Sequence, residues 1–168
     1  MSVVAAKVYD NRIVIAADSI LVRYGMTKEN NYSKLEYING MIIGGSGYAS
    51  ESSLMYRFAQ THKPETPTEK DMLAFIIEFY NWKKDFGNTD LHNQFLSAYE
   101  GHLFEVRHLF IREINDFMAI GAGEDFARAA LYLGHTPREA TEVACALSCY
   151  VSEPIKELVM EKKKGGRE

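Results

Sequence analysis

Cysteine is nearly absent from this chain: Cys145 and Cys149 are the two among 168 residues. Four apart in a stretch with helical patterning, they do not suit a disulfide, and they read as two buried thiols in a reducing compartment. No apolar run approaches the roughly 20 residues of a membrane-spanning helix. Positive charge is not in excess either. Nineteen Lys and Arg stand against 23 Asp and Glu, for a net charge of −4, so nucleic acid is not an electrostatically favoured partner. His62, His92, His102, His108 and His135 are scattered, and none forms a pair at metal-ligand spacing, which points away from a metal or cofactor site. The segment from Met1 to Arg12 has neither the basic start nor the apolar stretch of a secretory signal. The expected location is therefore cytoplasmic.

What is present is a patterned globular chain, 46% hydrophobic and 25% charged. Its order is strands, helices, strands, helices. Val3 to Val8 and Arg12 to Ala17 flank a turn at Tyr9-Asp10-Asn11, and Leu35 to Ile38 pairs through Asn39-Gly40 with the apolar run from Met41. Ser50 is the expected cap of a helix carrying Leu54, Met55 and Phe58. A second helix starts at Glu69 and carries Met72, Phe75, Ile76, Phe79, Tyr80 and Trp82, a spread wide enough to need neighbours on two sides. Phe95 to Tyr99 and Leu103 to Val106 alternate about Glu100-Gly101, and Leu109 to Ile114 adds a further candidate strand. Phe117 to Ile120 is a buried strand running into Gly121-Ala122-Gly123. Glu124 opens a helix stopped by Gly134, and Pro137 starts the last long helix, which Pro154 interrupts or ends.

This order predicts an α+β protein, a four-layer αββα sandwich of two antiparallel sheets flanked by helices, rather than alternating βαβ units. Residues 1–168 form one expected domain, with 161–168 a flexible tail.

Ser2, Asp18 and Lys34 lie sixteen residues apart and sixteen again. Asp18 follows one strand, and Lys34 precedes another. Taken singly, Asp18 is a turn residue and Lys34 a solvated strand start; only the pairing changes their meaning. With Met1 removed, Ser2 carries a hydroxyl beside a free α-amine. A hydroxyl, an amine, a carboxylate and a lysine are the parts of an N-terminal nucleophile site. Gly44-Gly45-Ser46-Gly47 is not a phosphate loop, because no lysine follows in the required place.

The stretch from Ser2 to Ser19 resembles the opening of proteasome β-subunits and of the bacterial HslV peptidase. Lys34-Leu35, Gly45-Ser46-Gly47, Met118 to Ala127 and Thr136 to Ala140 continue the resemblance in order, over about two thirds of the chain. The resemblance implies an N-terminal-nucleophile hydrolase fold and a peptidase without cofactor or metal. Ser2 would be the nucleophile where the family has threonine, and its own amine the general base. Lys34 would favour the deprotonated hydroxyl, Asp18 would orient Lys34, and the N–H of Gly47 would serve the oxyanion. The implied partners are a polypeptide substrate, further copies in a ring or double ring, and an ATPase unfoldase.

Two departures weigh against full activity. Ala122 stands where the family has a serine, and the late region from Ser148 to Glu153 has no aspartate, which leaves Ser152 or Glu153 to support the site. The leading reading is a peptidase assembled into rings. The alternative is a catalytically inactive ring or scaffold subunit of the same fold, and a small-molecule amidase is a third.

Overall fold

A computed structural model describes residues 1–163, apart from the side chain of Thr27. Two antiparallel sheets lie face to face. The first has the order β10-β1-β2-β11, from Phe117–Ile120, Val4–Val8, Arg12–Ala17 and Lys156–Glu161. The second has the order β5-β6-β7-β8-β9, from Leu35–Ile38, Met41–Ser46, Gln94–Tyr99, His102–Arg107 and Phe110–Ile114. A small ribbon, β3 (Leu21–Arg23) with β4 (Thr27–Glu29), projects beside them. Helices α1 (Ala49–Ala59) and α2 (Glu69–Lys83) pack outside the second sheet, and α3 (Glu124–Tyr132) and α4 (Pro137–Leu147) outside the first.

Period-two alternation explains why the inner strands look almost continuously apolar. Val4, Ala6, Ile13 and Ile15 face Leu35, Ile42, Leu96 and Leu103 between the sheets. Val3 and Ala5 face the other way, towards α3 and α4. On the far sheet, Met41, Ile43, Phe95 and Phe104 meet Met55, Phe58, Phe75 and Phe79 of α1 and α2. The two helical layers differ in grain. Small residues (Ala5, Ala119, Ala127, Ala130, Ala140, Ala144) line the α3–α4 side, whereas aromatic rings fill the α1–α2 side. Burying each large side chain contributes about 1.5–3 kcal/mol.

Several sequence expectations need correction. The cap of α1 is Tyr48, whose side chain makes no capping bond, and Ser50 lies inside the first turn. Helix α4 stops at Leu147, seven residues before Pro154, with Ser148 already extended. Its start is tighter than its end, because Thr136 and Glu139 form a reciprocal capping box. Cys149 is therefore outside the helix and exposed, while Cys145 is half-buried. Past Pro154 the chain forms β11, an edge strand antiparallel to β2. Leu158 and Met160 pack on the inter-sheet core while Val159 between them is exposed, and Lys156, Glu157 and Glu161 add the charge that suits an edge. Glu161 belongs to β11 rather than to a tail, and 164–168 lie outside the described residues. The β3–β4 ribbon was likewise not legible. Among the described residues no helix is long and apolar enough to cross a membrane.

Candidate active site

Both sheets bring strand ends to one place. The β1–β2 register pairs Val4 with Ala17, so Val3 lies opposite Asp18. The Asp18 N–H donates to the Val3 carbonyl at 3.3 Å. In return the Val3 N–H donates to Asp18 Oδ1 at 2.9 Å. Asp18 Oδ2 accepts from the N–H of Ile20 at 3.2 Å and of Ser152 at 3.3 Å. The carboxylate is 1% exposed, yet its oxygens are satisfied by three backbone donors before any cation is counted. That is the condition under which a buried charge is tolerable.

The cation is Lys34, delivered by the other sheet one residue before β5. Its carbonyl accepts from Gly45 N–H at 2.9 Å and from the Tyr56 hydroxyl at 2.8 Å, which fixes the backbone. Its Nζ lies 2.7 Å from Asp18 Oδ1, and its side chain is 3% exposed. Burial pulls the Lys34 ammonium below its ordinary pKa, and Asp18 opposes that shift by charge and hydrogen bond.

Ser2 is buried at 2% exposure. Its carbonyl accepts from the Gly123 N–H at 3.1 Å. Gly121 has φ +98, and a Cβ there would fall 2.5 Å from the Ser2 carbonyl oxygen and 2.7 Å from Ser46 Oγ. The second glycine turn is thus shaped to the N-terminal segment. The Ser2 hydroxyl donates to the Met1 carbonyl, and Lys34 Nζ donates to the same oxygen at 3.4 Å. With Met1 in place, its carbonyl stands between the hydroxyl and the ammonium, and the Ser2 nitrogen is an amide without basic character. The amine of Met1 is held below its ordinary value by burial and by Lys34, with Asp18 opposing.

Gly47 closes the constellation just after β6, at φ +132. A Cβ there would lie 2.2 Å from Asn93 Oδ1. Glycine is therefore required by its positive φ and by the Asn93 carboxamide packed on it. Ser2, Lys34 and Gly47 line one cleft of about 350 Å3, walled by Ile20, Val22 and Tyr32. A larger depression of about 680 Å3 lies beyond Tyr48, between α1 and the loop before β7. It contains none of these groups.

The supporting positions are placed differently from each other. Ser152 reaches the site through its backbone: its N–H binds Asp18, and its carbonyl accepts from Ser19 N–H at 3.1 Å. Ala122 is exposed in the turn between Gly121 and Gly123 and offers only a methyl. Cys145, the other nucleophile type near this end, has its thiol pushed up to about 11, first by burial and then by Asp18. At neutral pH it is not a thiolate. Among the described residues no group of three or more His, Cys, Asp or Glu could hold a metal ion. Asn93 and the backbone N–H groups of Val3 and Ser152 were not legible as site components. Asn93 sits at the end of a polar loop, and nothing in its spacing distinguishes it there.

No family model matches this chain, and no curated protein matches it. Solved structures do. The BPH protein of Thiobacillus denitrificans in complex with epoxomicin superposes with a TM-score of 0.86 at 20% identity, covering 96% of this chain and 100% of that one. Eukaryotic HslV from Trypanosoma brucei gives a TM-score of 0.73 at 18% identity over 95% and 99%. The Anbu protein of Pseudomonas aeruginosa, seen in a helical assembly, gives 0.74 at 15% over 95% and 81%. Over nearly its whole length the chain has the fold of proteasome-β-like N-terminal-nucleophile hydrolases.

Proposed function

We propose that this chain is a peptidase whose nucleophile is Ser2, active once Met1 has been removed and working inside an oligomeric assembly. The observation that carries the reading is the buried Lys34–Asp18 pair at 2.7 Å, whose ammonium turns towards the first peptide unit of the chain. A buried ion pair is costly to assemble, and this one opens onto a cleft that also contains Ser2 and Gly47.

The chemistry follows from the parts. Loss of Met1 removes the carbonyl between hydroxyl and ammonium and leaves Ser2 with a basic amine. The amine takes the hydroxyl proton as Oγ attacks the scissile carbonyl, directly or through a water. Lys34 lowers the cost of the developing alkoxide, and Asp18 keeps the lysine oriented. The oxygen of the tetrahedral intermediate accepts from the Gly47 N–H. The amine then delivers its proton to the leaving nitrogen, the peptide bond breaks, and water hydrolyses the acyl ester on Ser2. An extended polypeptide fits the cleft, which runs between the Ile20–Val22 segment and the Gly45–Gly47 segment. Serine lacks the β-methyl that restricts χ1, so its attack geometry is looser than threonine's.

Assembly into rings belongs to the same reading. Tyr132, Leu133 and Leu147 expose apolar surface on the α3–α4 side, and one protein of this fold forms a helical assembly. An ATPase that feeds substrate would be a separate partner.

A second reading, an inactive assembly subunit, is favoured by Ala122, which brings no hydroxyl to the amine, and by Ser152, which contributes its backbone. Intact mass and peptide hydrolysis decide between them. The peptidase reading expects a chain without Met1 that cleaves unfolded peptides and loses this activity in Ser2→Ala. A Met1-free, assembled protein that cleaves nothing and takes no epoxomicin favours the scaffold.

A further inference from the structure

The oxyanion donor assigned above sits on a glycine, the residue least able to hold its own conformation. What holds it is visible one strand away. Strand β6 pairs with β7 as far as Ser46 opposite Gln94, where the ladder ends. Asn93, the residue before β7, is 2% exposed, and its side chain takes over where the backbone pairing stops. Asn93 Oδ1 accepts from the Tyr48 N–H, 2.6 Å away. Its Nδ2 donates to the Tyr48 carbonyl at 2.8 Å and to Ser52 Oγ at 2.9 Å. The carboxamide therefore binds Tyr48 as a neighbouring strand would, through both main-chain groups. All its strong donors are used, which leaves it no alternative orientation.

Gly47 is consequently held on both sides: by Ser46 in the sheet ladder and by Tyr48 on Asn93. The carboxamide also fills the space a Cβ of Gly47 would need. Tyr48 is in turn the cap of α1, its carbonyl accepting from Ser52 N–H at 3.1 Å. The loop that carries Asn93 is itself anchored. The His92 N–H donates to Glu51 Oε2 at 3.0 Å, and Glu51 Oε1 lies 3.2 Å from Lys83 Nζ.

We propose that Asn93 is a positioning residue for the reaction: by fixing the Gly47–Tyr48 peptide on one side of Gly47, with the Ser46 ladder fixing the other, it holds the Gly47 backbone so that its N–H, which belongs to the Ser46–Gly47 peptide, points at the oxyanion position before substrate arrives. This rests on the Ser2 reading above. Preorganised donors of this kind act on the transition state more than on bound substrate. Loosening the clamp should lower kcat and leave KM nearly alone.

The test uses Met1-free, assembled protein, a fluorogenic peptide and a peptide boronate, whose tetrahedral adduct on Ser2 puts an oxygen at the oxyanion position. For Asn93→Ala the expected result is a kcat about 10- to 100-fold lower, KM within about twofold, and boronate affinity reduced by a similar factor to kcat. Asn93→Asp is the isosteric second variant should the alanine form fail to assemble. It keeps the acceptor for Tyr48 N–H but cannot donate to the Tyr48 carbonyl, and a fall in kcat and in boronate affinity is again expected. Wild-type and variant proteins that take the boronate equally well, or a variant that raises KM at unchanged kcat, overturn the role given to Asn93 while leaving Ser2 as nucleophile. Wild-type protein that takes no boronate overturns the Ser2 reading and this proposal with it.

Discussion

Among the described residues two acid–lysine pairs are buried, and their lysines are placed differently. Lys34 and Asp18 join the two sheets at the cleft; Lys83 and Glu51 join α2 to α1 behind it. All four side chains are almost fully buried. Beyond its carboxylate partner, Lys83 donates to Asn88 Oδ1 and to the Asp90 carbonyl, so its ammonium is spent on tying down a loop. The second donation of Lys34 goes to the Met1 carbonyl, a group the proposed maturation removes. Burial of an ion pair is thus no sign of catalysis by itself. What separates the two is where the remaining N–H donors of the ammonium point.

The sharpest way to break this comparison is to neutralise each lysine in turn. Lys34→Met should lower peptide turnover by about 10³-fold or more, the scale of removing a group that stabilises developing charge. Lys83→Met should lower it by no more than about tenfold, through a looser loop around Asn93. Turnover assays on assembled protein compare them directly. Equal losses of activity would erase the distinction.

Stability should order differently. Removing one partner of a buried pair strands the other charge, at a cost of about 3–5 kcal/mol. Lys83→Met leaves Glu51 with the His92 N–H, whereas Lys34→Met leaves Asp18 with three backbone donors. The Lys83 variant should therefore unfold at lower denaturant concentration than the Lys34 variant. Adding Glu51→Gln to Lys83→Met should recover part of the loss, read from the same unfolding curves.

The pH profile separates the pairs without mutating the site. On the proposed mechanism, turnover needs a neutral α-amine and a charged Lys34. Burial and Lys34 hold the amine at Met1 below its ordinary value, and the proposed mechanism expects the same direction for the amine of Ser2 once freed. Activity should rise with pH on a limb centred below pH 8. Burial also lowers Lys34 below 10.5, against the pull of Asp18, so activity should fall again on a limb centred below that value. Lys83→Met should keep both limbs. A profile flat from pH 6 to 10 would contradict the roles of amine and lysine together.

The smallest effect concerns the nucleophile itself. Ser2→Thr should raise turnover a few-fold in Met1-free protein, because a β-branched side chain holds χ1 more narrowly. A loss of activity would mean that the cavity around Ser2 has no room for the methyl.

Much of the fold was legible because the inner strands and the outer helices carry clean periodicities: Val4, Ala6, Ile13 and Ile15 to one face, Met72, Phe75, Ile76 and Phe79 along one helix. The misses share a physical cause. Strand β11 and the β3–β4 ribbon have apolar runs of three residues or fewer, Leu158 to Met160 and Leu21-Val22, set among charged residues, too short to announce a strand. The early end of α4 is invisible because Ser148 to Val151 could continue a helix as far as Pro154. At the cleft, the pairing of Asp18 with Lys34 was legible from their even spacing with Ser2 and from the resemblance, not from either residue taken singly. The parts made by the backbone, such as Val3 and Ser152 N–H, leave no mark in side-chain identity. Asn93 escaped because a buried clamp and a solvated loop asparagine have the same letter.

The account rests on covalent chemistry at Ser2, and one measurement reaches it directly. Met1-free protein is incubated with epoxomicin beside a Met1-retaining form, and the adduct is mapped by peptide mass spectrometry. The expected result is one inhibitor per chain on the N-terminal peptide beginning at Ser2, with none on the form that keeps Met1. An adduct elsewhere, or equal labelling of both forms, would contradict it.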